Sequence, residues 1–194
     1  MPRALRIQFE SAVYHVNTVG VRRSHILPDN RSRKMFLAIL DVAVTRFDWV
    51  CGSYCLLGTH YHLIVQTPQA NIARGMQFVN GVYAQWFNRT YGTRGHAFES
   101  RYHSVLVESG EQLLRAARYV ALNPVGAGLS TRAADWPWSS YRALVGETLP
   151  PRFLTPELVL HELDDRPAVA RRQLRRIVDE DGFPDWPPDG AAKL

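Results

Sequence analysis

The feature that most constrains the fold of this chain is a pair of strand-like segments joined by only two residues. Residues 49–57 and 60–67 are rich in aromatic, β-branched and other apolar side chains, which favour strands. Gly58-Thr59 lies between them, and a two-residue connection with glycine first is typical of a type II′ hairpin. Since so short a turn joins antiparallel neighbours, the sequence predicts an antiparallel sheet built around this hairpin.

The elements on either side of the hairpin follow in an order that predicts a fold. Residues 12–19 alternate as a strand, and Pro28-Asp29-Asn30 supplies the start of a helix with apolar positions at helical spacing. A second helix is predicted over residues 71–88, with Asn71 as its N-cap, and residues 102–108 form a fourth strand. This order, β-α-β-β-α-β, predicts an α+β protein with a ferredoxin-like sheet.

An added helix follows the fourth strand. Ser109-Gly110-Glu111-Gln112 has the composition of a capping box that opens this helix. The helix is predicted to end near Asn123, because the following proline disfavours helical geometry in the residue before it. Residues 125–148 have an irregular pattern, and we expect one main domain over residues 1–148. The core-facing positions of the added helix are Leu113, Ala117 and Val120.

The remaining residues, 149–194, predict a C-terminal helical extension and tail. Two short helical patterns occur near residues 156–163 and 167–179, between proline-rich stretches. Residues 183–194 have the composition of a frayed tail.

The charge of the chain favours a polyanionic partner. It carries 23 basic and 18 acidic residues, a net charge of +5, and 21 of the basic residues are arginine. Arginine on a phosphate releases a counterion and makes planar bidentate contacts, although a high genomic GC content alone would also enrich arginine. No segment approaches the roughly 18–20 apolar residues of a membrane helix, and the N-terminus lacks the apolar region of a signal peptide, so we expect a cytoplasmic protein.

The two cysteines predict no disulfide. Cys51 and Cys55 lie four residues apart in one predicted strand, which places them on the same face and about 13 Å apart by strand rise. This distance is too long for a disulfide. We expect both to be buried, reduced packing residues, and the sequence has no zinc-finger spacing.

Two histidines in the predicted hairpin are candidate metal ligands. His60 and His62 are residues i and i+2 of a strand, so both imidazoles project from the same face. Neighbouring imidazoles are a metal-binding arrangement, whereas the alternating residues between and after them suit the core. The alternative is a pair of polar histidines on an edge strand that binds nothing.

Tyr119 is a candidate nucleophile on the added helix. Tyr119 and Asn123 are i and i+4 neighbours on one helical stripe, with Arg115 one turn earlier. Tyr119 lies about 100° around the helix from the core position Val120, so packing does not require it to be a tyrosine. A tyrosine hydroxyl held against a phosphate is a competent nucleophile. The alternative is an amphipathic surface tyrosine, with Asn123 as a helix terminator.

Three other tyrosines are weaker candidates. Tyr83 lies on the core stripe of its helix, and neither Tyr102 nor Tyr141 has a polar partner four residues later.

Taken together, these motifs identify a family resemblance. The chain resembles the REP-associated tyrosine transposases, relatives of the small bacterial single-tyrosine insertion-sequence transposases of the HUH class, from about Val13 to Gly146. The order and spacing of the landmarks agree throughout. The landmarks are Val13-Tyr14-His15-Val16, Leu57-Gly58-Thr59-His60-Tyr61-His62-Leu63-Ile64-Val65, Asn80-Gly81-Val82-Tyr83, Gly95-His96-Ala97-Phe98-Glu99-Ser100-Arg101-Tyr102, Arg118-Tyr119-Val120-Ala121-Leu122-Asn123-Pro124-Val125 and Trp138-Ser139-Ser140-Tyr141.

The resemblance implies an activity and a site. It implies that His60 and His62 bind a metal ion, Mg²⁺ or Mn²⁺, that Asn123 completes the metal site, and that Tyr119 is the catalytic nucleophile. The implied enzyme nicks and rejoins single-stranded, hairpin-associated DNA through a 5′-phosphotyrosine, as a monomer or a homodimer. The short loop before the added helix favours a site completed within one chain.

Two departures from the family pattern and two alternatives remain. Val21 stands where we expect asparagine, and Gly126 stands where arginine is common, which affects expected DNA contacts rather than the chemistry. One alternative is a catalytically silent, domesticated DNA- or RNA-binding protein, although RNA-recognition sequence motifs are absent. The other is a metal-dependent hydrolase in which water attacks.

Several basic residues are candidate DNA contacts, and each could equally be a solvated surface residue. His96 is better explained as a structural loop histidine. The helix near residues 167–179 could grip a hairpin stem or simply present a charged face. The candidate contacts are Arg22, Arg23, Arg94, His96, Arg101 and Arg115.

Overall fold

The centre of the fold is a four-stranded antiparallel sheet. The structure, a computed structural model, describes residues 8–179 and 182–187. Its strands are Ala12–Val19 (β1), Val50–Leu56 (β2), His60–Thr67 (β3) and His103–Val107 (β4), in the spatial order β2-β3-β1-β4. Strand β3 pairs antiparallel with both β1 and β2 and separates them, as in a split β-α-β unit. The predicted α+β, ferredoxin-like topology is confirmed.

Two long helices cover one face of the sheet, which we call the aromatic face. They are Asn30–Phe47 (α1) and Ile72–Tyr91 (α2). Helix α1 begins at the predicted Pro28-Asp29-Asn30 start, and Asp29 is its N-cap, because the Asp29 carboxylate accepts a hydrogen bond from the Ser32 amide at 2.8 Å. The side chains buried on this face include Tyr14, Val16, Phe36, Leu40, Tyr61, Leu63, Met76 and Tyr83.

The other face of the sheet, which we call the α3 face, is covered by the added helix and the C-terminal extension. The helix spans Gly110–Gly126 (α3), and the extension contributes Tyr141–Leu144 (α4), Glu157–Leu160 (α5) and Pro167–Asp179 (α6). Residues from the sheet, α3 and the extension bury one another in a second hydrophobic cluster. That cluster includes Ile64, Val105, Leu113, Ala117, Val120, Val159, Leu174 and Trp186.

The hairpin turn differs from the predicted type. The Leu57 amide donates to the His60 carbonyl at 2.9 Å, which closes the turn. Gly58 does not have the positive φ that the first central residue of a type II′ turn needs. A Cβ atom at Gly58 would lie 2.8 Å from Nδ1 of His25, so the exposed His25 ring would have to shift.

The prediction that Cys51 and Cys55 share a face is wrong. The pairing of β2 with β3 shifts register between Cys51 and Ser53, and the β-bulge at this point reverses the alternation of side chains. Cys51 therefore packs on the aromatic face and Cys55 on the α3 face. Both are buried and unpaired, as predicted.

The ends of α2 and α3 also differ from the predictions. Asn71 makes no side-chain cap for α2; its amide oxygen instead accepts the Trp49 indole N–H at 2.7 Å. Ser109 caps α3 by accepting from the Gln112 amide, but Gln112 reaches back to the amide of Glu108 rather than completing the box. Helix α3 continues past the predicted end, through the buried Pro124 to Gly126. The helix continues there although a proline removes one backbone donor.

Part of the predicted tail is folded against the protein. Among residues 182–187, the Trp186 side chain is only 6% exposed and belongs to the core of the α3 face. The prediction of a frayed tail is therefore wrong for this segment, and residues 188–194 lie outside the described residues. Within the described part of the chain, no helix has both the length and the apolar character needed to cross a membrane.

Candidate active site and metal centre

Strand β3 presents the paired histidines to the α3 face. His62 lies opposite Asn17 of β1 and Cys55 of β2, so it stands in the middle of the sheet and is 2% exposed. His60 begins the strand and is half-buried. The two ring centroids are 5.1 Å apart. The predicted side-by-side arrangement is present because both residues follow the two-residue alternation of the strand.

Helix α3 places Tyr119 and Asn123 above these histidines. The Tyr119 ring lies perpendicular to the His62 ring, with 5.5 Å between centroids. The Asn123 side chain is buried, and its nitrogen donates to the Tyr119 carbonyl at 2.9 Å. With the nitrogen held in this way, the amide oxygen is the group directed at the imidazoles. The structure thus brings all four predicted residues together within one chain.

Burial keeps the two imidazoles neutral. Desolvation is the main cause that lowers the pKa of His62 well below its usual value, and the neighbouring His15 and His60 add to the effect. Burial also lowers the pKa of His60, with a smaller contribution from the Arg23 guanidinium. A polar contact with Asn123 opposes the lowering at both rings. Neutral imidazoles have the lone pairs that metal ligation needs.

A third histidine, His15, belongs to the same cluster and was not predicted. Its Nε2 lies 3.0 Å from Nδ1 of His62, and the two rings stack with centroids 5.2 Å apart. Burial lowers the pKa of His15 to about 3. The alternation of β1, which puts Val13, His15 and Asn17 on one face, could have indicated this position, but only the sheet register shows its contact with His62.

The donor set fits a divalent metal ion. Nε2 of His62 and Oδ1 of Asn17 are buried and have no hydrogen-bond partner among the described residues. A buried polar atom without a partner is costly, and such atoms are frequently completed by an ion or water. The described residues contain no group of three His, Cys, Asp or Glu side chains able to hold a metal. The candidate ligands are therefore two imidazoles and one amide oxygen, a mixed nitrogen and oxygen set that leaves positions open for oxygen ligands.

Two predicted DNA contacts lie beside the site, in the turn after β1. The side chains of Arg22 and Arg23 are exposed, and both residues have left-handed φ angles of 50° and 55°. Arg23 is near enough to His60 to lower its pKa. This turn therefore presents positive charge at the open end of β3.

The other predicted contacts are more distant or already paired. Arg94, His96 and Arg101 are exposed in the loop before β4, and the last two line a groove of about 830 Å³ against α2. Arg115 is exposed and forms an ion pair with Glu111 at 2.6 Å.

The competing tyrosines occupy different surroundings. Tyr83, Tyr102 and Tyr141 are all at most 5% exposed. Tyr83 donates to the Ile26 carbonyl on the aromatic face, and burial raises the pKa of Tyr141 to about 12. Tyr119 by contrast is half-buried at the surface of the histidine cluster.

A ferredoxin-like sheet with paired histidines beneath a helix-borne tyrosine is the arrangement expected of HUH-class transposases. The model of the family described as "Transposase IS200 like" matches residues 8–123, which is more than half of the chain. The chain belongs to the IS200-like transposase family, which supports a transposase-like role.

Comparison with solved structures supports the same fold. A REP-associated tyrosine transposase bound to a REP hairpin is similar over 80% of this chain and 92% of that chain, with a TM-score of 0.65 and 17% identity. At this identity the likeness concerns the fold. A putative transposase from Deinococcus radiodurans R1 is also 17% identical, and the similar region covers 58% of this chain and 88% of that chain. Its TM-score of 0.43 is too low to establish a shared fold. No curated protein matches the chain.

Proposed function

We propose that this protein is a metal-dependent transesterase that nicks and rejoins single-stranded, hairpin-associated DNA, with Tyr119 as the nucleophile. The observation that carries the proposal is the contact of Tyr119 with His62, at 5.5 Å between ring centroids, under an asparagine held by the same helix. Because these residues meet within one chain, we propose a site assembled in cis.

His60, His62 and Asn123 are the residues that would hold the metal ion. When bound, Mg²⁺ or Mn²⁺ would polarise a non-bridging phosphate oxygen and stabilise the charge that develops there. Imidazole ligands favour Mn²⁺, whereas cellular abundance favours Mg²⁺.

The protein's own groups position the attack. The phenol of Tyr119 releases its proton to solvent as its oxygen forms a bond to phosphorus. The bond from phosphorus to the 3′ oxygen breaks at the same time, and the departing 3′ oxygen takes up a proton from solvent. A 3′-hydroxyl from another DNA end then attacks the 5′-phosphotyrosine and releases Tyr119. Because the phosphotyrosine conserves the bond energy, the cycle needs no ATP.

Single-stranded DNA is the proposed substrate for both geometric and electrostatic reasons. An in-line attack requires a backbone that can bend, and unpaired bases offer faces for stacking. Arg22 and Arg23 would contact phosphates beside His60, and His96 and Arg101 would contact DNA at the groove against α2. The hairpin bound by the similar REP-associated transposase supports hairpin DNA as the ligand to test.

A covalent-adduct assay tests the proposal. A labelled hairpin oligonucleotide with a single-stranded flank is incubated with Mn²⁺ and the protein, and the mixture is then denatured. We expect a labelled protein band that is absent from Tyr119→Phe and retained by the matched control Tyr91→Phe, which alters another half-buried helical tyrosine. Cleavage without an adduct would indicate a hydrolase, and binding without cleavage would indicate a silent binding protein; either result contradicts the proposal.

A further inference from the structure

A basic residue of α1, Arg33, is held between two tryptophans that follow the added helix. Its guanidinium carbon lies 5.6 Å from the ring centroid of Trp136 and 5.6 Å from that of Trp138. Both distances are within the range of cation–π contacts, and a planar guanidinium packs well against aromatic rings. We call Arg33 with these two tryptophans the arginine clamp.

The Arg33 guanidinium has unused hydrogen-bond donors. Among the described residues its side chain makes no hydrogen bond or ion pair, and its Nε atom is buried without a partner. The Asp29 carboxylate acts on it electrostatically, but that carboxylate already accepts from the Tyr91 hydroxyl at 2.9 Å and from the Ser32 amide at 2.8 Å. Arg33 is half-buried, so the residue still reaches solvent. The clamp therefore offers a positive charge and several N–H donors to a ligand.

The clamp lies at the end of the sheet where the histidine pair begins. The Trp136 indole donates to the Leu56 carbonyl at 3.0 Å, and the Leu56 amide donates to the Trp138 carbonyl at 2.9 Å. Leu56 is the last residue of β2, and the next residue is hydrogen-bonded to His60 across the turn. The clamp thus occupies the position of a further strand beside β2, which is roughly 10 Å from His60 by two strand spacings.

Other basic side chains lie along the same end of the sheet. Arg22 and Arg23 are exposed in the turn after β1. The exposed His25 lies against the turn between β2 and β3, because a Cβ atom at Gly58 would be 2.8 Å from its Nδ1 atom. With Arg33 beyond β2, these residues form a row of basic groups that passes the open end of β3. Such a row is typical of surfaces that follow the backbone of a single strand.

We propose that Arg33 is a phosphate contact for single-stranded DNA, on the opposite side of His60 from Arg22 and Arg23. The proposal rests on the proposed function and deepens it, because it adds the course that the unpaired strand takes past the metal site. Two N–H groups of a guanidinium match two oxygens of a phosphate, in a contact that does not depend on the base. Trp136 and Trp138 are positioning residues, since they order the guanidinium before DNA binds and so reduce the entropy lost in binding.

A packing role alone does not account for arginine at this position. An apolar side chain between the two tryptophans would cover both rings without burying the unpaired Nε donor of Arg33. A buried donor without an acceptor is costly, whereas a phosphate oxygen nearby would recover hydrogen bonds for the guanidinium. The residue type therefore favours a ligand that carries acceptor oxygens.

Binding of the full chain to a DNA hairpin with and without a single-stranded flank tests this contact. Fluorescence anisotropy is measured in EDTA, so that no cleavage occurs, over a series of salt concentrations. On the flanked hairpin we expect Arg33→Gln to bind about tenfold more weakly, as for the loss of a charged hydrogen bond. The slope of log K against log salt should become shallower by about 0.7, the value for one phosphate of a single strand. On the hairpin without a flank, Arg33→Gln and the wild-type protein should bind equally.

Three further variants separate a DNA contact from a packing effect. Arg152→Gln is the matched control, because it removes the same charge from an exposed arginine that is paired with Asp41 at 3.0 Å, and it should keep the wild-type affinity. Arg33→Lys should keep the salt slope but lose part of the affinity, since an ammonium cannot make the planar double contact. Trp138→Leu should weaken binding in the wild-type background and add nothing to Arg33→Gln. Far-UV circular dichroism checks that each variant is folded.

The possible results decide between distinct outcomes. Equal binding of the flanked hairpin by Arg33→Gln and the wild-type protein would make Arg33 a packing residue and overturn the proposal. A loss of affinity that is as large on the hairpin without a flank would place the contact on the stem and overturn it as well. Failure of the proposed chemistry would register separately, as the absence of the Tyr119 adduct from a protein in which Arg33 still supports binding of the flank.

Discussion

The two faces of the sheet are built from alternate residues of the same strands, yet they are completed in different ways. On the aromatic face, Tyr61 accepts from Thr18 at 2.9 Å and donates to Asn80, so its hydroxyl is fully used. On the α3 face, the neighbouring residue His62 and its cross-strand partner Asn17 each keep a buried polar atom without a partner in the described structure.

Tyr61 and His62 are neighbours on β3, and they differ in whether their buried polar atoms have hydrogen-bond partners. A buried polar atom without a hydrogen bond destabilises a fold, typically by about 1–3 kcal/mol. The Tyr61 hydroxyl avoids that cost, whereas His62 and Asn17 bear it at the position where a metal ion is proposed. The contrast between these neighbouring residues is consistent with the proposal that a ligand completes the α3 face at His62.

The largest expected effect is on chemistry alone, at Tyr119. Because Tyr119 is half-buried and is proposed to supply the attacking oxygen, Tyr119→Phe should lower the rate of DNA cleavage by at least about 10³-fold. Its free energy of unfolding should change little. Single-turnover cleavage measures the rate, and urea unfolding measures the free energy of unfolding. A Tyr119→Phe variant that loses much stability but still cleaves DNA would contradict the proposed difference between the two faces.

The next comparison uses successive residues of β3. Leu63→Ala removes a fully buried side chain from the aromatic face and should cost about 2–5 kcal/mol of unfolding free energy. His62→Ala should abolish Mn²⁺ binding and cost less, because it also removes an unsatisfied buried nitrogen. Isothermal titration calorimetry and urea unfolding are the measurements. Equal losses of stability at the two positions would contradict the proposed contrast.

The histidines of the α3 face should also make stability depend on pH. Burial lowers the pKa of His15 to about 3, so below the unfolded value of about 6.5 the unfolded chain binds a proton that the folded protein does not. The free energy of unfolding should therefore fall as the pH drops from about 6.5 towards 3. The slope should approach about 1.4 kcal/mol per pH unit for this residue, with His62 acting in the same direction.

Urea unfolding across this pH range measures the slope. His15→Phe should flatten it, because the substituted ring cannot take up a proton. A slope that His15→Phe leaves intact would assign the dependence to other groups.

The smallest expected effect concerns the contact of Gly126 with Phe183. A Cβ atom at Gly126 would displace the phenyl ring, so Gly126→Ala should lower stability by about 1 kcal/mol and expose the C-terminal segment to protease. Adding Phe183→Ala should relieve the clash, and the effects of the two substitutions should not be additive. Limited proteolysis followed by mass spectrometry locates the cuts, and additive effects would exclude the contact.

Patterns with a short period were predictable from the sequence. The order of the elements, the bounds of β1 and β3, the shared face of His60 and His62 and the shared stripe of Tyr119 and Asn123 all follow from repeats of two or about four residues. The family resemblance then joined the histidine pair to the tyrosine helix, which periodicity alone could not do.

The predictions were wrong where a contact with a distant part of the chain, rather than the local sequence pattern, determined the structure. The bulge in β2 adjoins Gly52, where a Cβ atom would lie 2.8 Å from the Leu158 side chain, so a residue about one hundred positions away constrains this point of the strand. Helix α3 likewise continues beyond its predicted end, through Pro124, which is buried.

The sequence by itself determined the elements, their order and the stripes of side chains that each would present, because those depend on neighbours within one turn or one pleat. Only the tertiary structure decided that His15 meets His62 and that Trp186 reaches His15 from 171 positions away. Register between strands and the docking of a chain end depend on which distant surfaces pack most favourably, and no local repeat encodes that choice.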